Sequence, residues 1–228
     1  MSETMATDSA PTPTGGLATL VNDWSDDKQT FHVPWGKAMM WIFLLSDTFI
    51  FTVFLTAYMN VRMSTTVDWP VPSEVFALTL FGENIPLILI AIMTFILISS
   101  SGTMAMAVNF GYRRDRVKTA SLMLATAFFG LCFVGMQAFE WTKLIHEGVR
   151  PWSNPFGAPQ FGSSFFMITG FHGLHVSIGV IYLSTVAFKV FRGDCDKKDN
   201  YEIVEITGLY WHFVDLVWVF IFAFFYLW

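Results

Sequence analysis

Five stretches of this chain, at about residues 38–60, 85–108, 119–142, 162–190 and 206–228, are apolar over the thickness of a bilayer. A hydrocarbon core of roughly 30 Å needs about 20 residues of helix to cross it. A polar loop at that depth would leave backbone N–H and C=O groups without partners. The chain is therefore expected to be all-α, a polytopic membrane protein built as a bundle of five transmembrane helices. The second stretch carries no charged residue from Ile85 to Val108, and Pro86 falls at its start, where a helix tolerates proline.

Composition agrees. Residues are 54% hydrophobic and only 14% charged, where soluble domains average about 25% charged. The net charge of −5 comes mostly from loops and the N-terminal tail, which argues against nucleic acid as a partner. Two cysteines make no disulfide framework: Cys132 falls in a span and Cys195 in a hydrophilic loop, each expected as a free thiol. Residues 1–33 are polar and read as a flexible tail, leaving 34–228 as the membrane domain. Residues 1–30 show no apolar core of a signal peptide, so the first span is expected to serve as its own insertion signal.

The connections alternate in charge. Lys28 and Lys37 precede the first span, Arg113, Arg114, Arg116 and Lys118 follow the second, and Lys189, Arg192, Lys197 and Lys198 follow the fourth. The intervening connections hold only Arg62, Lys143 and Arg150, with Trp69, Pro70, Pro72, Pro151, Trp152, Pro155 and Pro159. Positive charge stays inside, so the N-terminus is expected in the cytoplasm and the C-terminus outside. No internal repeat or inverted pair of halves is visible, which removes the usual sequence hint of a secondary transporter.

Ionisable residues nonetheless sit inside the spans, each costing about 2.5–3.5 kcal/mol if it faced lipid. Helical spacing puts them on single faces. Glu205, Gly208, His212 and Asp215 step by three, four and three in the fifth span. His172, His175, Gly179 and Tyr182 share a stripe in the fourth, and Gly130, Phe133, Gln137 and Glu140 in the third. Asp47 lies within the first. Three readings are open. Polar side chains bonded across helices act as interhelical glue, with glycines allowing close approach. Three histidines and two aspartates could ligate zinc, iron or copper, although no cysteine joins them and no ligand pattern repeats. Carboxylates and imidazoles kept from water could also pass protons.

Longer strings narrow these readings. GSSFFMITGFHGLHVSIGVIYL (Gly162–Leu183) and GLYWHFVDLVWVFIF (Gly208–Phe222) resemble subunit III of the haem-copper terminal oxidases. QAFEW (Gln137–Trp141), LLSDTFIF (Leu44–Phe51) and NIPLILIA (Asn84–Ala91) resemble the same family in the same order, over roughly Pro34 to Trp228. The family often has seven helices, and this chain is similar to its five-helix bacterial members. Its Ser46–Asp47 stands where the family usually has Ser-Glu.

The resemblance implies a chain with no catalytic, metal or cofactor residues of its own, the haems and copper lying in partner subunits. It implies direct contact with the catalytic subunit I, with subunit II and a small subunit IV in the same complex, bound phospholipid, and membership of a respiratory supercomplex as a further option. The expected role is support of assembly, stability and sustained proton uptake while subunit I reduces oxygen, in a bacterial cytoplasmic membrane. Asp47, Gln137, Glu140, His172, His175, Glu205, His212 and Asp215 are then expected to form buried polar networks that fix the bundle, with a proton or lipid role as a further option. The alternatives are subunit III of a quinol oxidase, an accessory protein of a nitric oxide reductase, a free-standing proton-coupled transporter and an intramembrane metal enzyme.

Overall fold

The computed structural model describes residues 34–80, 83–195 and 201–228; the polar tail, 1–33, lies outside them. The chain divides into two compact units, Met1–Trp41 and Ile42–Trp228. Of the first, only the opening of a helix is described, where the Lys37 and Ala38 N–H groups donate to the Pro34 carbonyl.

Five helices are long and apolar enough to cross a membrane: α1 (Trp35–Ser64), α2 (Ile88–Tyr112), α3 (Arg116–His146), α4 (Gln160–Phe191) and α5 (Glu202–Phe222). A π-helical turn, Ala223–Leu227, continues α5. The helices extend slightly beyond most of the apolar stretches because polar flanking residues continue their hydrogen bonding. Asp115 shows how one begins: its carboxylate accepts from the Lys118 backbone N–H at 3.2 Å and caps α3.

The start of α2 differs from the expectation. Pro86 is not in a helix but ends a strand: β1 (Ala77–Leu80) and β2 (Glu83–Pro86) pair antiparallel, with Ala77 opposite Pro86. The helix begins two residues later, after Leu87 turns the chain through a left-handed conformation (φ 59°). A short apolar run suits strand or helix equally, and proline is at home at a strand end. The Lys143 ammonium, on α3, donates to the Ala77 carbonyl and ties down this hairpin.

Within the second unit, α2, α3, α4 and α5 pack as neighbours in a ring, with α5 returning to α2. Two tryptophans of α5 fill its centre. The Trp211 ring lies against Gly130 of α3 and Gly179 of α4, where a methyl group on either glycine would clash with it. Its Nε1–H donates to Ser100 Oγ of α2 at 2.9 Å. Trp218 repeats the arrangement: it donates to Thr94 Oγ1 of α2 at 3.0 Å, meets Phe133 of α3 edge-on, and stacks with His172 of α4. In lipid, helices gain little from hydrophobicity and associate through close packing and hydrogen bonds. Each tryptophan supplies both, to three helices at once.

Side chains from α1 reach α4 and α5. Phe51 and Phe54 pack on the Phe171 ring, Phe43 on Tyr210, and Tyr58 on Phe225. At its last turn, the Arg62 guanidinium lies 4.4 Å from the centre of the Trp228 ring, a cation–π contact.

Candidate functional site

Three polar clusters occupy the bundle, each assembled from different helices. In the first, Asp47 of α1 faces His175 of α4, with Oδ2 to Nε2 at 2.8 Å. The other ring nitrogen, Nδ1, lies 2.8 Å from the Phe171 carbonyl one turn earlier. Carbonyl oxygen only accepts, so Nδ1 carries a proton. The Tyr210 hydroxyl of α5 donates to the His175 carbonyl at 2.9 Å. One acid thus links α1 to α4, and a tyrosine beside it links α4 to α5.

The second cluster lies near the other end of α3. Glu140 Oε2 accepts from Gln137 Nε2 at 2.9 Å and from the Tyr226 hydroxyl at 3.2 Å. Gln137 and Glu140 are three apart on one face, as their spacing requires. Tyr226 reaches them from the π-helical turn, which buries both Phe225 and Tyr226. The ring of Phe76, just before the hairpin, covers Tyr226 at 4.4 Å.

The third cluster joins α2 and α5. Ser101 Oγ lies 2.6 Å from His212 Nδ1, and Asp215, one turn further along α5, is buried beside them at 9% exposure. One residue of the α5 stripe, His212, thus bonds across to α2. Glu205, half-exposed in the first turn of α5, stands two turns before His212, where an acid suits the positive end of the helix dipole.

His172 stands apart from all three. It is 1% exposed, and neither ring nitrogen has a hydrogen-bond partner among the described residues. Its imidazole stacks on Trp218 at 5.4 Å and meets the Phe133 ring at 90°. Sharing a helical stripe with His175 did not give it a polar partner; at His172 that face meets rings.

Sequence reasoning missed the α2 side of these contacts. Thr94, Ser100 and Ser101 receive Trp218, Trp211 and His212 in turn. The available signal was the hydroxyl-rich run Ser99–Thr103 inside an uncharged span. No three His, Cys, Asp or Glu side chains gather into a metal-holding group among the described residues. The clusters can hold helices together, because each brings polar side chains of different elements within hydrogen-bond or ion-pair distance.

The comparisons with known proteins point the same way along nearly the whole chain. The family model for cytochrome c oxidase subunit III matches residues 25–228. Cytochrome c oxidase subunit 3 of Rhipicephalus sanguineus is 33% identical over 211 residues, covering 88% of this chain and 75% of that protein. A probable quinol oxidase subunit 3 of Staphylococcus saprophyticus is 31% identical over 86% of this chain and 90% of its own length. The Staphylococcus aureus protein of the same description is 32% identical, with the same coverage. With a family model spanning all five transmembrane helices and relatives above 30% identity, this chain belongs to the cytochrome c oxidase subunit III family.

Proposed function

We propose that the chain is the non-catalytic subunit III of a respiratory haem-copper terminal oxidase in a bacterial cytoplasmic membrane. Its N-terminus lies in the cytoplasm and its C-terminus outside, following the charge of the connecting loops. It packs against subunit I, in a complex with subunit II and a small subunit IV, and binds phospholipid. In this reading it supports assembly, stability and sustained proton uptake, while haems and copper stay in its partners.

The observation that carries this reading is the way the buried polar groups are used. Asp47 is held by His175, Glu140 by Gln137 and Tyr226, and His212 by Ser101. Asp47, Glu140 and His212 each join one helix to another element of the bundle. None is directed with others at a common reaction centre. That arrangement suits a chain whose role is to keep a fixed shape beside an enzyme.

Removal of the chain from the purified oxidase is the test. The expected result is an unchanged haem spectrum and initial oxygen consumption, followed by faster loss of activity during turnover. Loss of a haem band together with the chain would contradict a non-catalytic role.

A quinol-oxidising complex is the second reading, favoured by the staphylococcal relatives, both described as quinol oxidase subunits. The co-purifying subunit II decides it: a copper-binding form indicates cytochrome c, and a copper-less form indicates quinol.

A further inference from the structure

A cavity of about 310 Å³ lies between α3 and α4, and none of its lining side chains is charged. Its floor is the α4 backbone at Gly170 and Gly173, where a side chain on Gly173 would meet nothing within 4 Å. Phe133 and Trp141 of α3 form aromatic walls, and the Trp141 ring lies over Gly170. The volume falls at the lower end of small-molecule sites, roughly 300–1,000 Å³. Bare backbone beneath and rings at the sides suit a flat ring.

The hydrogen bonds around the cavity decide what that ring must carry. Every lining side chain with a donor already has it engaged. Gln137 Nε2 donates to Glu140 Oε2 at 2.9 Å, and Trp141 Nε1 to Thr169 Oγ1 at 3.3 Å. Thr169 Oγ1 donates to the Phe165 carbonyl at 2.6 Å, and Ser177 Oγ to the Gly173 carbonyl at 2.8 Å. What remains is an acceptor. Gln137 is only 5% exposed, and its Oε1 has no partner among the described residues. The amide nitrogen points to Glu140, which does not line the cavity, and so leaves the oxygen on the cavity side.

Depth removes the easiest donors. The 31 residues of α3 span about 46 Å, against a hydrocarbon core of roughly 30 Å. Gln137 stands about 13 Å before the end of that helix, hence about 5 Å inside the hydrocarbon. Acyl chains at that level bring no donor, and an unpaired buried acceptor is costly.

We propose that the α3–α4 cavity binds a neutral, membrane-soluble amphiphile whose head is a hydroxyl-bearing ring, with the hydroxyl donating to Gln137 Oε1. A hydroquinone and a hydroxylated polycyclic lipid share this chemistry. The ring rests on Gly170 and Gly173 between Phe133 and Trp141, and the tail leaves along the two helices into the acyl chains. A phospholipid does not match: its acyl chains lack a donor, and its charged headgroup finds no opposite charge here. The site uses residues of this chain alone.

The test is photolabelling of the full chain, purified in mild detergent with the subunits that accompany it. One probe is a diazirine-tagged hydroquinone with a short alkyl tail, kept reduced by ascorbate; the other is a diazirine-tagged sterol. At least one is expected to label residues 133–141 and 169–177, and the one that labels identifies the source of the hydroxyl. Excess untagged compound should compete, and its methyl ether, which has no donor, should not. Gly173→Leu, which fills the cavity, and Gln137→Leu, which removes the acceptor, should each reduce labelling several-fold. Gly135→Leu is the control, at a position equally open but outside the lining, and should leave labelling unchanged. Absence of labelling in both segments with both probes would overturn the site, as would labelling that survives Gly173→Leu. A methyl ether that competes as well as the free hydroxyl would overturn the hydrogen bond to Gln137.

Discussion

Asp47 Oδ2 of α1 and His175 Nε2 of α4 approach to 2.8 Å, an ion-pair distance between two membrane helices. The Phe171 carbonyl, 2.8 Å from Nδ1, fixes a proton on that side of the ring. A carboxylate facing an unprotonated Nε2 would set two acceptors against each other. Each partner offsets part of the cost of burying the other in the middle of two membrane helices.

Breaking this pair from one side is the first prediction. Asp47→Ala leaves His175 Nε2 buried with no partner, which costs about 1–3 kcal/mol. Asp47→Asn keeps a donor for a neutral Nε2 and should lose much less. Thermal unfolding of the two variants in detergent checks the order; an alanine variant as stable as the asparagine variant would contradict the pairing.

The tryptophan contacts give a second prediction, in which equal chemical changes have unequal results. Gly130→Ala and Gly179→Ala push a methyl group into the Trp211 ring, and such overpacking typically costs about 1–3 kcal/mol. Gly135→Ala and Gly173→Ala meet nothing within 4 Å and should be tolerated in the isolated chain. Yield and melting temperature of the four purified variants separate the two groups.

Tyr226 supplies a third. Tyr226→Phe removes one of the two donors to Glu140 Oε2 while keeping the ring against Phe76, so a loss of about 0.5–1.5 kcal/mol is expected. Glu140→Gln in the same background should reduce the penalty of the tyrosine change, because the two act on one bond. A double-mutant cycle of melting free energies measures this coupling; additive effects would contradict it.

How far these features were legible in the sequence depends on what each residue needed to reveal itself. The spans were readable because membrane thickness sets their length, and Pro86 was misplaced because a short apolar run suits a helix or a strand. Asp47, Glu140, His212 and Asp215 stood out because charge in an apolar span is costly. Their partners did not. Ser100, Ser101 and Thr94 resemble the many hydroxyls that bond back to their own helix, as Thr48 does to the Leu44 carbonyl. Pairing across helices depends on rotation and depth, which periodicity leaves open. His172 and His175 share a stripe, yet one meets rings and the other an acid.

A fourth prediction concerns acid. The side chain of Lys118, and then its backbone N–H, hold the exposed Asp115 carboxyl group below its ordinary value of 3.8. A lowered value in the folded state means that the ionised form stabilises the fold. The contribution is complete above the unfolded value and fades as pH falls through the lower folded one. Asp115→Asn removes that charge, so the stability difference between the two proteins should shrink as pH drops below about 4. A difference that grows under acid would contradict the direction of the shift.

The most direct measurement is affinity purification of the tagged chain from its native membrane in mild detergent, with an optical spectrum and mass spectrometry of the product. The account predicts a complex containing a haem-bearing catalytic subunit, its reduced-minus-oxidised haem bands present in the same fraction as this chain. A chain recovered intact and folded, with no haem-bearing partner in any fraction, would contradict it.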